Sequence, residues 1–121
     1  MKLAIMQPYF FPYHGYFHLL AAADRMILYD NIKYTKRGWI NRNRMLLNGA
    51  PATFSLPLKH DSDALNIDQR TISEDFDLRK LINRFAGAYS DAPYFHSVMP
   101  VIENALGLQD RNLFRLSLIH I

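Results

Sequence analysis

Pro8–Tyr16 spends five of its nine residues on Tyr or Phe and two on Pro, directly after the apolar run Leu3–Met6. Each proline fixes its own φ and pushes the preceding residue out of the α region. Gln7 and Phe11 are therefore expected to be extended, and the loop to be stiff. Gly15 relieves crowding where the chain turns into a helix near Tyr16. A rigid aromatic strand-to-helix turn at the start of a sheet is where α/β proteins hold ligands. The same residues can instead form an aromatic plug that closes the end of the sheet.

The rest of the chain supports an α/β fold. Lys2–Met6 reads as a buried strand. Tyr16–Ala23 reads as a helix with Leu19, Leu20 and Ala23 inward, and Met26–Tyr29 as a second strand. A β-loop-α-β unit of this length implies parallel strands and a right-handed crossover. Trp39–Leu47 then alternates, with Trp39, Asn41, Asn43, Met45 and Leu47 on one side and Ile40, Arg42, Arg44 and Leu46 on the other. Asn48-Gly49 signals a tight hairpin turn, and Ala52–Leu56 supplies the returning strand. Ile67–Ile72 has the composition of one more strand. Leu78, Leu81, Ile82, Phe85 and Tyr89 recur at helical spacing, as do Phe95, Val98, Met99, Ile102 and Leu106. Ser90-Asp91-Ala92-Pro93 separates those helices, Pro100 should kink the second or mark its first turn, and Gly107 should stop it.

Composition narrows the function classes. The chain has 121 residues, no cysteine and a net charge of +3. Disulfides, zinc-thiolate sites and cysteine nucleophiles are excluded together. No apolar run is long enough for a membrane helix, and Met1-Lys2 leads into prolines rather than a signal peptide, so a cytoplasmic location is expected. Glycine-rich dinucleotide and P-loop motifs, the Gly-x-Ser-x-Gly elbow and paired-carboxylate motifs are absent, which disfavours standard oxidoreductases and NTPases and leaves the cofactor unassigned.

The densest charge lies in Lys33, Lys36, Arg37, Arg42 and Arg44, interleaved with Tyr34, Trp39, Asn41 and Asn43. Arginine forks bind phosphate or carboxylate bidentately, and an indole face stacks on a base or sugar. Arg42 and Arg44 share one side of a strand and can converge on one anion. The bland alternative is a solvated hairpin face whose charges protect an edge strand. Asp30 and Asn31 follow the second strand, where a carboxylate can act as a general base or hold a sugar hydroxyl; a turn cap is the competing role. Gln7 ends the first strand beside Asp30 and can orient the same ligand, and Tyr13 can donate a hydroxyl hydrogen bond. His14 and His18, four residues apart, can share a helix face, but no third ligand stands out and no metal site is expected. His14-Gly15-Tyr16-Phe17-His18 is out of register with the His-x-Gly-His signature of nucleotidylyltransferases.

Met6-Gln7-Pro8-Tyr9-Phe10-Phe11-Pro12-Tyr13, Gly15-Tyr16-Phe17, Tyr29-Asp30-Asn31 and Lys36-Arg37-Gly38-Trp39-Ile40-Asn41-Arg42-Asn43-Arg44 resemble the WbqC-like protein family. The likeness continues more weakly through Ser55–Lys59, Tyr89 and Ala92–Phe95. This bacterial and archaeal group is often encoded with O-antigen and other surface-polysaccharide genes, so the resemblance implies a pathway rather than a defined reaction. His14 and His18 depart from it, apolar and amide residues being more usual there. Arg37, Trp39 and Arg42 gain weight as site residues because they lie in the family's second specific block.

Family members run to roughly twice this length. Leu116-Ser-Leu-Ile-His-Ile121 matches the translation of a sequencing-library transposon end. Residues 1–115 are therefore expected to be the N-terminal portion of one α/β domain, and 116–121 a non-native tail. The alternative is a natural apolar C-terminal strand.

Three functions compete. The first is an enzyme of surface-polysaccharide assembly that modifies a sugar by group transfer, with Asp30 catalytic. Gln7, Tyr13, Gly15, Asn31, Lys36, Arg37, Trp39, Asn41 and Arg42 would bind a nucleotide-sugar or an activated acyl donor. The second is a scaffold subunit of the same pathway. The third, a nucleic-acid-binding module, is disfavoured because the basic residues form one cluster rather than a long stripe.

Overall fold

A computed structural model describes residues 1–107 and 110–120. It has mixed α/β architecture. β1 (Leu3–Met6), α1 (His14–Ala22) and β2 (Arg25–Leu28) form the expected unit, with β1 and β2 parallel in the register Leu3↔Arg25 to Met6↔Leu28. The Tyr29 amide continues the ladder to the Met6 carbonyl at 2.8 Å. Gln7 and Asp30 therefore leave the sheet at the same edge.

β1 is not a buried strand. Ala4 is buried, but Leu3 and Ile5 are 50% and 58% exposed, and Ile27 of β2 is 49% exposed. Parallel sheets normally have both faces covered, and here one face of the pair is open. The inward residue of α1 is Tyr16, not Leu19, which is exposed. The aromatic ring displaces the aliphatic stripe because the preceding loop, rather than a second sheet, packs on this helix. The Tyr9 and Tyr16 rings stack at 6.4 Å.

β3 (Arg42–Leu47) and β4 (Ala50–Ser55) form the antiparallel hairpin. Asn48 and Gly49 both take positive φ, 50° and 77°, as a two-residue turn between twisted strands requires. The strand begins three residues later than the alternation predicts. Trp39–Asn41 form a turn, and this reverses the parity assigned to that segment. Ile67–Ile72 is not a strand. Ile67–Gln69 is one 3₁₀ turn flanked by isolated bridges, Lys33↔Asn66, Leu58↔Ile72 and Thr71↔Asn112.

α2 (Leu78–Tyr89) starts at Asp77, whose carboxylate accepts from the Arg79 amide at 2.9 Å. It buries Leu81, Ile82 and Phe85, as the spacing predicts. α3 (Phe95–Gly107) carries Pro100 inside and buries Met99 and Leu106, while Val98 is 48% exposed. α4 (Leu113–His120) is a helix, not the apolar strand that was the alternative for this segment. Leu116 and Ser117 are fully buried, and Ile121 lies outside the described residues.

The main core joins the hairpin to α2, α3 and α4 through Met45, Phe54, Leu56, Leu81, Phe85, Met99 and Leu116. Phe10 and Phe11 connect the parallel unit to it. The Phe10 amide donates to the Ile40 carbonyl at 2.9 Å, and Phe11 packs 5.4 Å from Phe85. Phe11 is not extended, despite Pro12 following it. Its φ is +49°, a left-handed conformation that costs a non-glycine residue about 1–3 kcal/mol. The ring's place among Phe10, Phe54 and Phe85, and the Asn43 amide donating to the Phe11 carbonyl, hold it there.

Candidate functional site

A cleft of about 400 Å³ opens where β1 ends, lined by Met6, Gln7, Tyr9, Tyr13, Tyr16, Thr35, Gly38, Trp39 and Ile40. One wall is the proline-aromatic loop and the other the Thr35–Ile40 segment. The Phe10 amide bond to Ile40 ties the two together. The cleft thus joins the two blocks singled out in the sequence.

Its polar groups have set roles. The Tyr16 hydroxyl donates to the Gln7 carbonyl at 2.9 Å, anchoring the backbone at the strand end. Burial pushes the Tyr16 phenol above its ordinary pKa. Burial also raises Tyr9, helped by Tyr13 beside it and opposed by the Arg42 charge. Both phenols are consequently neutral donors near pH 7. Tyr9 was not among the residues expected to bind ligand, although it lies within the same motif. Its alternation with two prolines gave no sign of which rings turn inward.

Trp39 sits beneath two cations. The Arg42 and Arg44 guanidinium carbons lie 4.9 and 4.8 Å from its ring centroid. Strand parity had placed Arg42 opposite the indole, and the Trp39–Asn41 turn brings it to the same side. Arg42 also donates to the Arg37 carbonyl at 2.6 Å, while its Nε is buried with no hydrogen-bond partner among the described residues. An aromatic face with guanidinium groups beside it suits a ligand that combines a flat or apolar moiety with an anion.

The other candidates are spread around this centre. Asp30 is half-buried at the same sheet edge as Gln7, outside the cleft lining, and its carbonyl accepts from the Asp68 amide. Asn31 and Arg37 are exposed. Lys36 pairs with Asp63 at 2.8 Å and lines a different cavity. Asn41 is turned inward, with its Nδ2 donating to the Leu56 carbonyl and its Oδ1 accepting from the Tyr34 hydroxyl, both at 2.8 Å. His14 and His18 rings touch at 4.1 Å, and among the described residues no group of three or more His, Cys, Asp or Glu is placed to hold a metal ion.

Gly15 acts through Tyr13. A Cβ at Gly15 would fall 2.5 Å from the Tyr13 Cε2, so the bare glycine lets that ring lie against the start of α1 and over the cleft. Gly15→Ala is therefore expected to displace Tyr13 while leaving the fold intact. Tyr13 is 64% exposed and can move, and alanine favours the helix by up to about 1 kcal/mol. Quenching of tyrosine fluorescence by acrylamide should rise with no fall in unfolding temperature. An unchanged quenching profile would show that the ring does not depend on Gly15.

The family model described as the WbqC-like protein family matches residues 7–121. The chain belongs to that family. Its matched region includes both walls of the cleft. A related protein of Mycobacterium tuberculosis, the uncharacterized protein Rv1507c, is 41% identical over 58 residues, which is 48% of this chain and 25% of the relative. The aligned segment is thus a minor part of that longer protein. No solved structure matches the chain. No helix among the described residues is long and apolar enough to cross a membrane.

Proposed function

We propose that this WbqC-like chain carries the donor site of a cytoplasmic enzyme that modifies a sugar by group transfer in surface-polysaccharide assembly. The observation that carries this reading is the cleft at the end of β1, with three tyrosines and Trp39 in its lining and Arg42 and Arg44 on the indole. A nucleotide-sugar or an activated acyl donor has the matching parts, a flat or ring-shaped body and a phosphate. The base or sugar stacks on Trp39 and Tyr9, Gln7 and Tyr13 bond its polar edge, and the phosphate meets Arg42, with Arg37 beside it. Asp30, at the same sheet edge, is the group that can take a proton from an acceptor hydroxyl reaching past the cleft, and Asn31 beside it can hydrogen-bond that hydroxyl.

The test is calorimetric titration with nucleotide-sugars of this chain and of its longer mycobacterial relative. Arg42→Lys should weaken binding ten- to hundredfold, or about 1.5–3 kcal/mol, because an ammonium keeps the charge but not the planar fork. Trp39→Ala should weaken it as well. Lys33→Ala, at an exposed position outside the cleft, should change little. Equal affinities for Arg42→Lys and wild type would remove the clamp and favour a scaffold role. That second reading draws on the open apolar face of Leu3, Ile5 and Ile27.

A further inference from the structure

Arg70 is an unexplained charge. It is 5% exposed, yet its Nε and Nη2 are buried and find no hydrogen-bond partner among the described residues. The ion pairs found among the described residues, Lys36–Asp63 and Arg115–Asp110, do not include it. Its guanidinium carbon lies 5.1 Å from the centroid of the Tyr34 ring. A ring face attracts a cation but offers no lone pair that could replace the water lost by buried N–H groups. A buried charge left in that condition is costly unless something pairs with it.

The surrounding structure holds Arg70 in place. Its amide donates to the Ile67 carbonyl at 3.2 Å, and its carbonyl accepts from the Leu113 amide at 3.0 Å. Thr71 bridges to Asn112, and Ile67 and Ile72 on either side are buried. The Tyr34 ring is fixed in turn by its hydroxyl bond to Asn41. The guanidinium is thus ordered before any ligand arrives, which lowers the entropy cost of binding.

Arg70 lines a cavity of about 210 Å³ together with Tyr34, Lys36, Leu58, Lys59, His60, Asp61 and Asp63. Lys59, His60 and Asp61 are exposed, while Asp63 is occupied by Lys36 at 2.8 Å. That pair is not isolated, since Asp63 also feels the Arg70 charge. Across the lining Lys36, Lys59 and Arg70 outnumber Asp61 and Asp63, so the net charge is positive, and the guanidinium presents Nη1, the one of its three nitrogens not sealed from solvent, to a phosphate oxygen.

We propose that this cavity is a second anion site, separate from the aromatic cleft, that binds the phosphate of a phosphomonoester between Arg70 and Lys59. Asp61, at the exposed side, is an acceptor for a hydroxyl carried by the same ligand. The two sites share one stretch of chain. Tyr34 and Lys36 face the phosphate cavity, whereas Thr35, Gly38, Trp39 and Ile40 line the cleft.

The experiment follows the unfolding temperature and the heat of binding of the whole chain, titrated with sodium phosphate and with glucose 1-phosphate, against sodium chloride at matched ionic strength. Phosphate should raise the unfolding temperature beyond the chloride control. A larger response to glucose 1-phosphate assigns the site to an ester, and a larger response to phosphate assigns it to the free ion. Arg70→Met should weaken binding at least tenfold, and Lys59→Ala several-fold. Lys33→Ala, at an exposed position outside both cavities, should leave it unchanged, and Lys59→Ala should leave nucleotide-sugar binding in the cleft unchanged, so failure here is distinguishable from failure of the cleft. Arg70→Met removes a buried group. Should it not fold, Lys59→Ala at its exposed position carries the test. No response beyond chloride, or full binding by Lys59→Ala and by a folded Arg70→Met, would overturn the proposal.

Discussion

Phe10→Ala should lower the unfolding free energy by about 3–5 kcal/mol, the usual cost of truncating a phenylalanine in a packed core. A small domain has only about 5–15 kcal/mol in total, so the variant should approach the edge of folding. Phe10 has no exposed surface and meets Phe11 and Phe54 edge-on at 4.9 and 6.1 Å. It is also the buried residue through which the β1-α1-β2 unit reaches the main core, because that cluster contains no residue of β1, α1 or β2. The cavity left by the ring would loosen the loop as a whole, including the Phe10–Ile40 backbone bond that joins the two walls of the cleft. Urea unfolding of wild type, Phe10→Ala and Phe17→Ala checks this. Phe17 is 40% exposed on α1, and its truncation should cost far less. Similar losses for the two variants would mean that Phe10 does not bear the connection assigned to it.

Which parts of this arrangement the sequence announces follows from the range of the forces involved. The parallel unit and the hairpin are written in local patterns. Leu3–Met6 is followed by a helix and a second apolar run, and Asn48-Gly49 can take the two positive φ values that a tight turn needs. The errors arise where distant contacts override local preference. Pro12 favours an extended Phe11, but the ring finds Phe54 and Phe85 and the backbone bends into the left-handed region to keep them. Counting alternate residues from Trp39 put Arg42 on the wrong side, because three residues form a turn before the strand begins. Ile67–Ile72 has strand-like composition but, among the described residues, finds isolated bridges and no continuous partner strand.

The candidate site was legible in the same uneven way. Gln7, Tyr13 and Trp39 meet in one cleft, as motifs at strand ends suggest. Tyr9 escaped notice because no periodicity governs a proline-stiffened loop. Arg70 was invisible, being one charged residue in a polar stretch whose burial depends on Tyr34, Leu113 and Asn112, all far away in the chain.

Asn41 gives the second large effect. Its sequence context groups it with the ligand-binding residues, whereas its geometry makes it a brace. At 9% exposure, its amide donates to the Leu56 carbonyl and accepts from the Tyr34 hydroxyl, and its own carbonyl accepts from the Leu56 amide at 2.8 Å. Asn41→Ala strands a carbonyl and a hydroxyl. An unsatisfied buried group costs about 1–3 kcal/mol, and Tyr34 is partly exposed, so a total loss of about 2–4 kcal/mol is expected. Asn41→Asp separates the two bonds. A carboxylate still accepts from Tyr34 but faces the Leu56 carbonyl with no proton to donate, so folding should raise the pKa of that carboxyl. The folded state then binds the proton more tightly than the unfolded state. The deficit relative to wild type should be smallest below the ordinary aspartate pKa and grow as pH rises through the raised folded value. Urea unfolding at about pH 4 and about pH 7 reads this directly. An Asn41→Asp deficit that stays constant or shrinks with rising pH would show that the amide does not donate to Leu56. In that case Asn41 would be available to a ligand after all.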